Sequence, residues 1–253
     1  MKVNLHTHTY RCNHAHGTDE EYVLAAINCG YTKLGFSDHT PFPYKGYVST
    51  CKMAPEELAG YIASVQALKE KYQDQIEIVM GLECEVVPEF FPFLREMHER
   101  MDYLILGNHG DSRRQESGGS LKTPEGLWKY VEVAVTGLET GLFLYLAHPD
   151  LMLNAYPVFD TEAEKASRAL CREANRLNIP MEYNLYGVLK GKVPGQLGYP
   201  CEDFWRVAAE ENVRAVIGVD AHAPEHFAIA NPENARSLLE GMGITVLEDP
   251  MRT

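Results

Sequence analysis

The 253-residue sequence lacks the features that would mark it as a membrane or secreted protein. It contains no run of about 18 apolar residues, so no transmembrane helix is expected. No apolar stretch follows residues 1–6, so no signal peptide is predicted and we expect a cytoplasmic protein. The six cysteines include no CxxC pair, which favours free thiols in a reducing compartment.

Positive charge is also scarce. The chain carries 23 Lys and Arg against 36 Asp and Glu, a net charge of −13, and it has no basic run. An acidic surface repels a nucleic-acid backbone, so DNA and RNA are disfavoured as partners. The 45% of apolar residues are enough to bury a sizeable core, which excludes disorder of the whole chain. Composition leaves the oligomeric state open.

Short apolar runs alternate with helical patterns along the chain. Runs rich in Val, Ile, Leu and Tyr are typical of buried parallel strands. The predicted strands are Val3–His6, Lys33–His39, Ile76–Glu85, Tyr103–His109, Leu142–His148, Met181–Leu185 and Ala215–His222. This alternation predicts a parallel sheet, either a closed barrel or an open sheet with helices on both faces.

Helix signals lie between these runs. A capping box at Thr18–Glu21 predicts where the first helix begins. The segment Glu89–Met101 is less clearly helical because Pro92 interrupts it. Trp128 and Trp205 lie on predicted helices, and we expect both in the core.

Histidine is concentrated where the predicted strands end. Five runs end in this residue: His6, His39, His109, His148 and His222. Other metal-ligating residues flank these ends or end the third run: His8, His14, Glu83, Glu85 and Asp220. Strand ends on one rim of a barrel converge, and barrel enzymes keep their chemistry there. The pattern therefore favours a barrel over an open sheet.

A ring of imidazoles and carboxylates predicts a metal site. Imidazole is the commonest protein ligand for zinc, iron and related metals, and a carboxylate can bridge two ions. A structural zinc needs only about four ligands, usually with cysteine, so the larger number of histidines and carboxylates here favours a site for more than one ion. Each histidine taken singly could instead form a loop salt link or lie buried and hydrogen-bonded. His98, in a charged helical stretch, is expected on the surface.

The strand-end residues resemble the motifs of a known family. The matching segments are HTHT (6–9), GFSDH (35–39), GLE (81–83), GNH (107–109), AHP (147–149) and GVDAH (218–222). They resemble the PHP (polymerase and histidinol phosphatase) superfamily. Residues 10–17 and 37–41 are similar to its monofunctional histidinol-phosphatase branch.

The resemblance implies a fold and a cofactor. The fold is a distorted, TIM-like (β/α)7 barrel with the metal site at the C-terminal rim of the strands, here over residues 1–253 as a single domain. The cofactor is a set of two to three divalent ions: zinc, iron or manganese. The first ion would take His6, His8, Glu83 and Asp220. The second would take Glu83, His109 and His148, and the third would take His14, His39 and His222. Glu85 is a rival for the bridging position.

The resemblance also implies phosphomonoester hydrolysis, with L-histidinol phosphate converted to L-histidinol and phosphate in histidine biosynthesis. A hydroxide bridging two ions would attack the phosphorus. The candidate catalytic residues are Glu83, Asp220 and Asp38, of which Asp38 would orient its neighbour His39 or shuttle a proton.

Substrate contacts are harder to predict from the sequence. The candidates are Arg113, Arg114, Asn184 and His16. The first two follow a strand-end histidine on a loop, and Asn184 lies at the end of the sixth predicted strand. The loop over residues 40–53 could wall the pocket.

Other functions remain open. A related phosphoesterase could act on nucleotides, short oligonucleotides or other small phosphate esters, although the absence of a basic run disfavours oligonucleotides. A metal-dependent amidohydrolase shares the HxH pattern, but such sites commonly use a lysine near a middle strand end, and the corresponding places here hold Glu83 and Asn108–His109. A non-enzymatic metal-binding protein would bind ions without turnover.

Overall fold

The computed structural model describes residues 2–47, 49–109 and 120–252. Within them, strands in sequential order form one parallel sheet. They are β1 Val3–Asn4, β2 Lys33–Phe36, β3 Glu77–Cys84, β4 Tyr103–Gly107, β5 Leu146–Ala147, β6 Met181–Asn184 and β7 Ala215–Gly218. Each of the seven predicted runs contains one of these strands.

Helices connect the strands. They are α1 Asp19–Asn28, α2 Leu58–Lys71, α3 Phe91–Arg100, α4 Pro124–Leu138, α5 Thr161–Arg176, α6 Leu185–Lys190, α7 Glu202–Glu210, α8 His226–Ile229 and α9 Pro232–Gly241. Short 3-10 turns precede several of them, including Pro55–Glu57 before α2 and Pro88–Phe90 before α3. Among the described helices, none combines the length and the apolar character that crossing a membrane requires.

The sheet curls until its first and last strands approach each other. Beyond the ends of β1 and β7, Thr7 and Ala221 form a parallel bridge. The Ala221 carbonyl accepts the His8 N–H at 2.9 Å, and the Ala221 N–H donates to the His6 carbonyl at 3.1 Å. The Asn4 side-chain oxygen accepts the Val219 N–H at 2.8 Å. These bonds nearly close a seven-stranded barrel, as predicted.

Local sequence signals explain most helix starts. Thr18 and Glu21 form the predicted capping box at α1. Pro92 lies in the first turn of α3, where its missing N–H has no intrahelical partner to lose, so it does not break the helix. Trp205 is fully buried as predicted, but the prediction for Trp128 was wrong. Trp128 is 40% exposed, because it lies on the outer face of α4 and its N–H donates to Glu162.

Apolar side chains fill two regions. A large cluster packs the outer faces of the strands against the helices. A smaller cluster includes Val79, Tyr103, Ile105 and Val216. Val79 lies on the same face of β3 as Glu83, because side chains an even number of residues apart along a strand point to the same side. The apolar cluster therefore forms a floor beneath the polar residues at the C-terminal ends of the strands.

Candidate metal centre

Four side chains converge at the C-terminal rim, from the ends of β1, β3 and β7. His6 Nε2 lies 3.1 Å from His8 Nε2, 3.4 Å from Asp220 Oδ1 and 3.6 Å from Glu83 Oε2. His8 Nε2 lies 3.1 Å from Asp220 Oδ1 and 3.5 Å from Glu83 Oε2. A tetrahedral zinc ion with bonds of about 2.0–2.1 Å holds its ligand atoms roughly 3.3 Å apart. The spacing fits one ion among these atoms.

Glu83 faces a second group with its other oxygen. His148 Nε2 lies 2.9 Å from Glu83 Oε1, and His109 Nε2 lies 3.5 Å from the same oxygen. Gly107 makes room for this carboxylate, since a Cβ at that glycine would lie 2.0 Å from Glu83 Oε1. Glu83 therefore stands between two groups of imidazoles, as a bridging carboxylate would.

A third group consists of imidazoles. Nitrogen atoms of His14, His39 and His222 lie within 4.8 Å of one another. His14 is exposed, whereas His39 and His222 are buried. His39 Nδ1 also lies 2.9 Å from Glu83 Oε2. This group adjoins the other two and opens toward solvent through His14.

Several atoms of the cluster are buried without a hydrogen bond. They are His8 Nδ1, His39 Nδ1, His148 Nδ1, Glu83 Oε2 and Asp220 Oδ1. A buried carboxylate oxygen without a partner is costly, and a cation is one way to satisfy it. Nitrogen and carboxylate donors at these separations suit zinc, iron or manganese. The residues therefore fit the divalent ions that the sequence predicts.

Electrostatics distinguish the carboxylates from ordinary acids. Burial alone would raise the pKa of Glu83, but the charges of His109, His39 and His6 outweigh it and hold the pKa well below its usual range. Burial likewise opposes ionisation of Asp220, while the charges of His6 and His222 hold its pKa well below its usual range. Both carboxylates are therefore ionised at neutral pH and available to cations.

Asp38 lies beside His8 rather than beside the ring of His39. Its Oδ1 is 3.8 Å from His8 Nδ1 and accepts the backbone N–H of His39 at 2.9 Å. The Thr9 hydroxyl donates to Oδ2, and Arg11 donates to that hydroxyl at 3.1 Å. Asp38 is fully buried and faces the His8 ring, and this contact is longer than a hydrogen bond.

Glu85 points away from the position between the two ligand groups. It forms an ion pair with Lys52, and His109 Nδ1 lies 3.2 Å from its Oε1. Burial would lower the pKa of Lys52, but the charge of Glu85 outweighs it and raises that pKa. Of the two rivals for the bridge, the geometry favours Glu83, and Glu85 orients His109 from its far side.

The predicted substrate contacts are placed differently from one another. Both N–H bonds of the Asn184 amide are used, since the nitrogen donates to Glu182 at 2.9 Å and to Asp220 at 3.1 Å. Asn184 therefore supports the cluster and has no free donor for substrate. His16 is 70% exposed and pairs with Glu225. Arg113 and Arg114 lie outside the described residues.

A cleft lies above the histidines. Tyr47, Lys52, Tyr186 and Tyr199 are among its lining residues. The Tyr186 ring stacks on His222 with centroids 4.6 Å apart and planes at 20°. Tyr47 and Lys52 belong to the loop that the sequence predicts as a pocket wall. The cleft can hold a small molecule with a polar end at the histidines and a flat group at the tyrosines.

Sequence reasoning missed Glu182, Lys52, Tyr186 and Tyr199. Glu182 is fully buried on β6 and contacts His6. A signal for it exists, since a charged residue within an otherwise buried strand usually has a partner. The others stand on connecting segments, and no spacing in the sequence connects them with the rim.

Comparisons with known proteins show which family the chain resembles. The PHP domain family model matches residues 4–186. A probable histidinol-phosphatase of Deinococcus radiodurans is 29% identical, and the match covers 95% of this chain and 94% of that protein. A probable histidinol-phosphatase of Schizosaccharomyces pombe is 26% identical, with 98% and 89% covered.

A solved structure shares the fold. Histidinol phosphate phosphatase (HisK) of Lactococcus lactis, solved with zinc, L-histidinol and phosphate, superposes with a TM-score of 0.74 at 17% identity. The superposition covers 99% of this chain and 97% of that one. On the evidence of the family model, which spans most of the sequence, the chain belongs to the PHP domain family.

Proposed function

We propose that the protein is a metal-dependent phosphomonoesterase that hydrolyses L-histidinol phosphate to L-histidinol and phosphate. The observation that carries the proposal is the position of Glu83, whose two oxygens face separate groups of histidines. A carboxylate so placed suits a multinuclear centre, and such centres commonly hydrolyse phosphate esters.

For the ions we propose the ligand sets that the family resemblance implies. One ion would be held by His6, His8, Glu83 and Asp220. A second would be held by Glu83, His109 and His148, and a third by His14, His39 and His222. When bound, zinc, iron or manganese would neutralise the charge on phosphate oxygens and make a water molecule a stronger nucleophile near neutral pH.

The protein's own residues would orient the reactants. Glu85 contacts the ring of His109 from its far side, and Asp38 faces the ring of His8 at 3.8 Å. Lys52 lines the cleft, and its ammonium group balances the charge of Glu85, so the carboxylate of Glu85 does not repel an entering phosphate. Tyr186 and Tyr199 line the same cleft, where an imidazole ring of the leaving alcohol could stack on a phenol ring.

The substrate assignment draws on the relatives. Two probable histidinol-phosphatases align with this chain over nearly its full length. The Lactococcus structure of the same fold contains L-histidinol and phosphate. We also propose that residues 1–253 act as one domain, because the proposed ligands run from His6 on the first strand to His222 after the last.

Phosphate release from L-histidinol phosphate tests the proposal. The metal-replete enzyme would be compared on a panel of nucleotides, sugar phosphates and short oligonucleotides. We expect histidinol phosphate to lead in kcat/KM by at least about 100-fold, or roughly 2.7 kcal/mol of differential transition-state binding. A nucleotide or oligonucleotide that matches or exceeds it would replace the substrate assignment, and metal binding without turnover of any ester would overturn the enzyme assignment.

A further inference from the structure

Glu182 is a buried carboxylate that contacts the proposed metal centre without belonging to it. It lies on β6 and is fully buried. Its Oε1 is 2.8 Å from His6 Nδ1, and its Oε2 accepts the backbone N–H of His148 at 3.2 Å and the Asn184 amide at 2.9 Å. It thus joins the ends of three strands beneath the cluster.

These partners require a carboxylate rather than an amide. The backbone N–H of His148 and the amide nitrogen of Asn184 can only donate, and an ionised carboxylate can only accept. With His6 Nδ1 donating as well, every partner of Glu182 is a donor. A glutamine at this position would place its NH2 group against one of these donors.

The bond to Glu182 also determines which nitrogen of His6 faces the cluster. Nδ1 is turned to Glu182, so Nε2 is turned to Asp220 and Glu83, at 3.4 and 3.6 Å. A histidine that donates from one ring nitrogen presents the lone pair of the other to a metal. The contact therefore selects the tautomer that a ligand must have.

The neighbouring strand is shaped around this carboxylate. A Cβ at Gly218 on β7 would lie 1.8 Å from Glu182 Oε1. Gly107 on β4 leaves the same kind of space for Glu83, where a Cβ would lie 2.0 Å from Oε1. In both cases a glycine on an adjacent strand leaves the space that the carboxylate occupies.

We propose that Glu182 is a positioning residue of the metal centre. It holds the ring of His6 in the tautomer and orientation that binds an ion, and through the His148 N–H it also fixes the strand end that carries a second ligand. The inference rests on the proposed metal-dependent function, since it assigns Glu182 a task toward the ions of that site.

Zinc affinity of E182Q tests the proposal. Chelator competition would measure zinc binding to wild-type protein and variant, and the melting temperature of each metal-free protein would report folding. Loss of a partner that orients a ligand typically costs about 10- to 100-fold in metal affinity, and we expect that loss in E182Q. Cobalt-loaded E182Q should also show a changed visible absorption spectrum.

D249N is a matched control. Asp249 is a buried carboxylate paired with Lys33 at the start of β2, away from the C-terminal rim. D249N should lower the melting temperature but keep wild-type zinc affinity. A double-mutant cycle with H6A completes the design, because in the H6A background E182Q should cost much less zinc affinity than in the wild-type background.

The outcomes separate this inference from the proposed function. Wild-type zinc affinity in folded E182Q, or equal losses in both backgrounds of the cycle, would overturn the role of Glu182. A wild-type protein that binds no zinc, iron or manganese would overturn the proposed function itself.

Should E182Q fail to fold, histidine-selective ¹H–¹⁵N spectra of the zinc-loaded wild-type protein decide the question. The proton of His6 is expected on Nδ1, and a proton on Nε2 would overturn the inference.

Discussion

The proposed metal centre has two halves that differ in how they hold protons. The carboxylate half contains His6, His8, Glu83, His109, His148 and Asp220. The imidazole half contains His14, His39 and His222. Without metal, hydrogen bonds and charges from Asp220 and other carboxylates outweigh burial and raise the pKa of His8 to about 9. In the imidazole half, burial and the charge of His8 lower the pKa of His222 to about 3.

Other members follow the same division. Burial opposes protonation of His6 and His148, but neighbouring carboxylates raise the pKa of both. Burial lowers the pKa of His14 and His39, and the charge of His8 adds to the effect. Buried carboxylates thus prepare one half for cations, but they also make its histidines bind protons that a cation must displace. The other half presents neutral imidazoles that are ready to bind.

The largest effect is expected from E83A, because it removes the carboxylate that both ligand groups of the carboxylate half share. Turnover should fall at least about 1000-fold, since metal ions supply several kcal/mol of transition-state stabilisation. At least one ion should be lost. Phosphate release and metal analysis measure both effects.

E77A is the matched control for E83A, since Glu77 is a half-exposed carboxylate at the other end of β3. It should keep activity and metal content. Full activity in E83A would contradict the division of the centre around Glu83.

A smaller effect is expected from emptying the imidazole half. H222A should lose one ion and about 10- to 100-fold in kcat/KM, or roughly 1.4–2.7 kcal/mol. D220A, which removes a proposed ligand from the carboxylate half, should cost more. Metal stoichiometry and kinetics of both variants measure the difference. A larger loss in H222A than in D220A would reverse the ranking of the two halves.

The number of protons released on zinc binding should distinguish the two halves, and this measurement does not depend on activity. At pH 7.5, zinc entering the carboxylate half displaces the proton of His8, whose pKa is about 9, so zinc affinity there should rise with pH up to that value. His222, with a pKa of about 3, has no proton to lose. Calorimetry in buffers of different ionisation enthalpy counts the protons released.

Variants sharpen this measurement. H8A should release fewer protons on zinc binding than the wild-type protein, whereas H222A should release as many with one ion fewer. Equal proton release in H8A and wild-type protein would show that the two halves are not divided by protonation.

The smallest effect is expected outside both halves. His98 is exposed on α3, so H98A should change neither activity nor metal content. Its effect on the free energy of unfolding should stay within about 0.5 kcal/mol. Kinetics and thermal unfolding measure this. A large loss of activity would contradict the placement of His98 outside both halves.

Much of the fold could be predicted because its signals are local. Buried parallel strands are short apolar runs, and each predicted run contains a strand. The fifth shows the limit, since Leu142–His148 is predicted but only Leu146–Ala147 is paired. Trp128 shows another, because periodicity identifies a helix more reliably than it identifies which residues at the edge of its apolar face are covered.

The sequence by itself determined the order in which the strands carry the candidate ligands and the kind of metal centre these could form, because parallel strands bring their C-terminal ends to one rim. Only the tertiary structure decided which oxygen of Glu83 faces which histidines, and that Asp38 lies beside His8. It alone brought Glu182 under His6, residues that are far apart in the chain. Such contacts depend on side-chain directions across neighbouring strands, and no local pattern in the sequence specifies them.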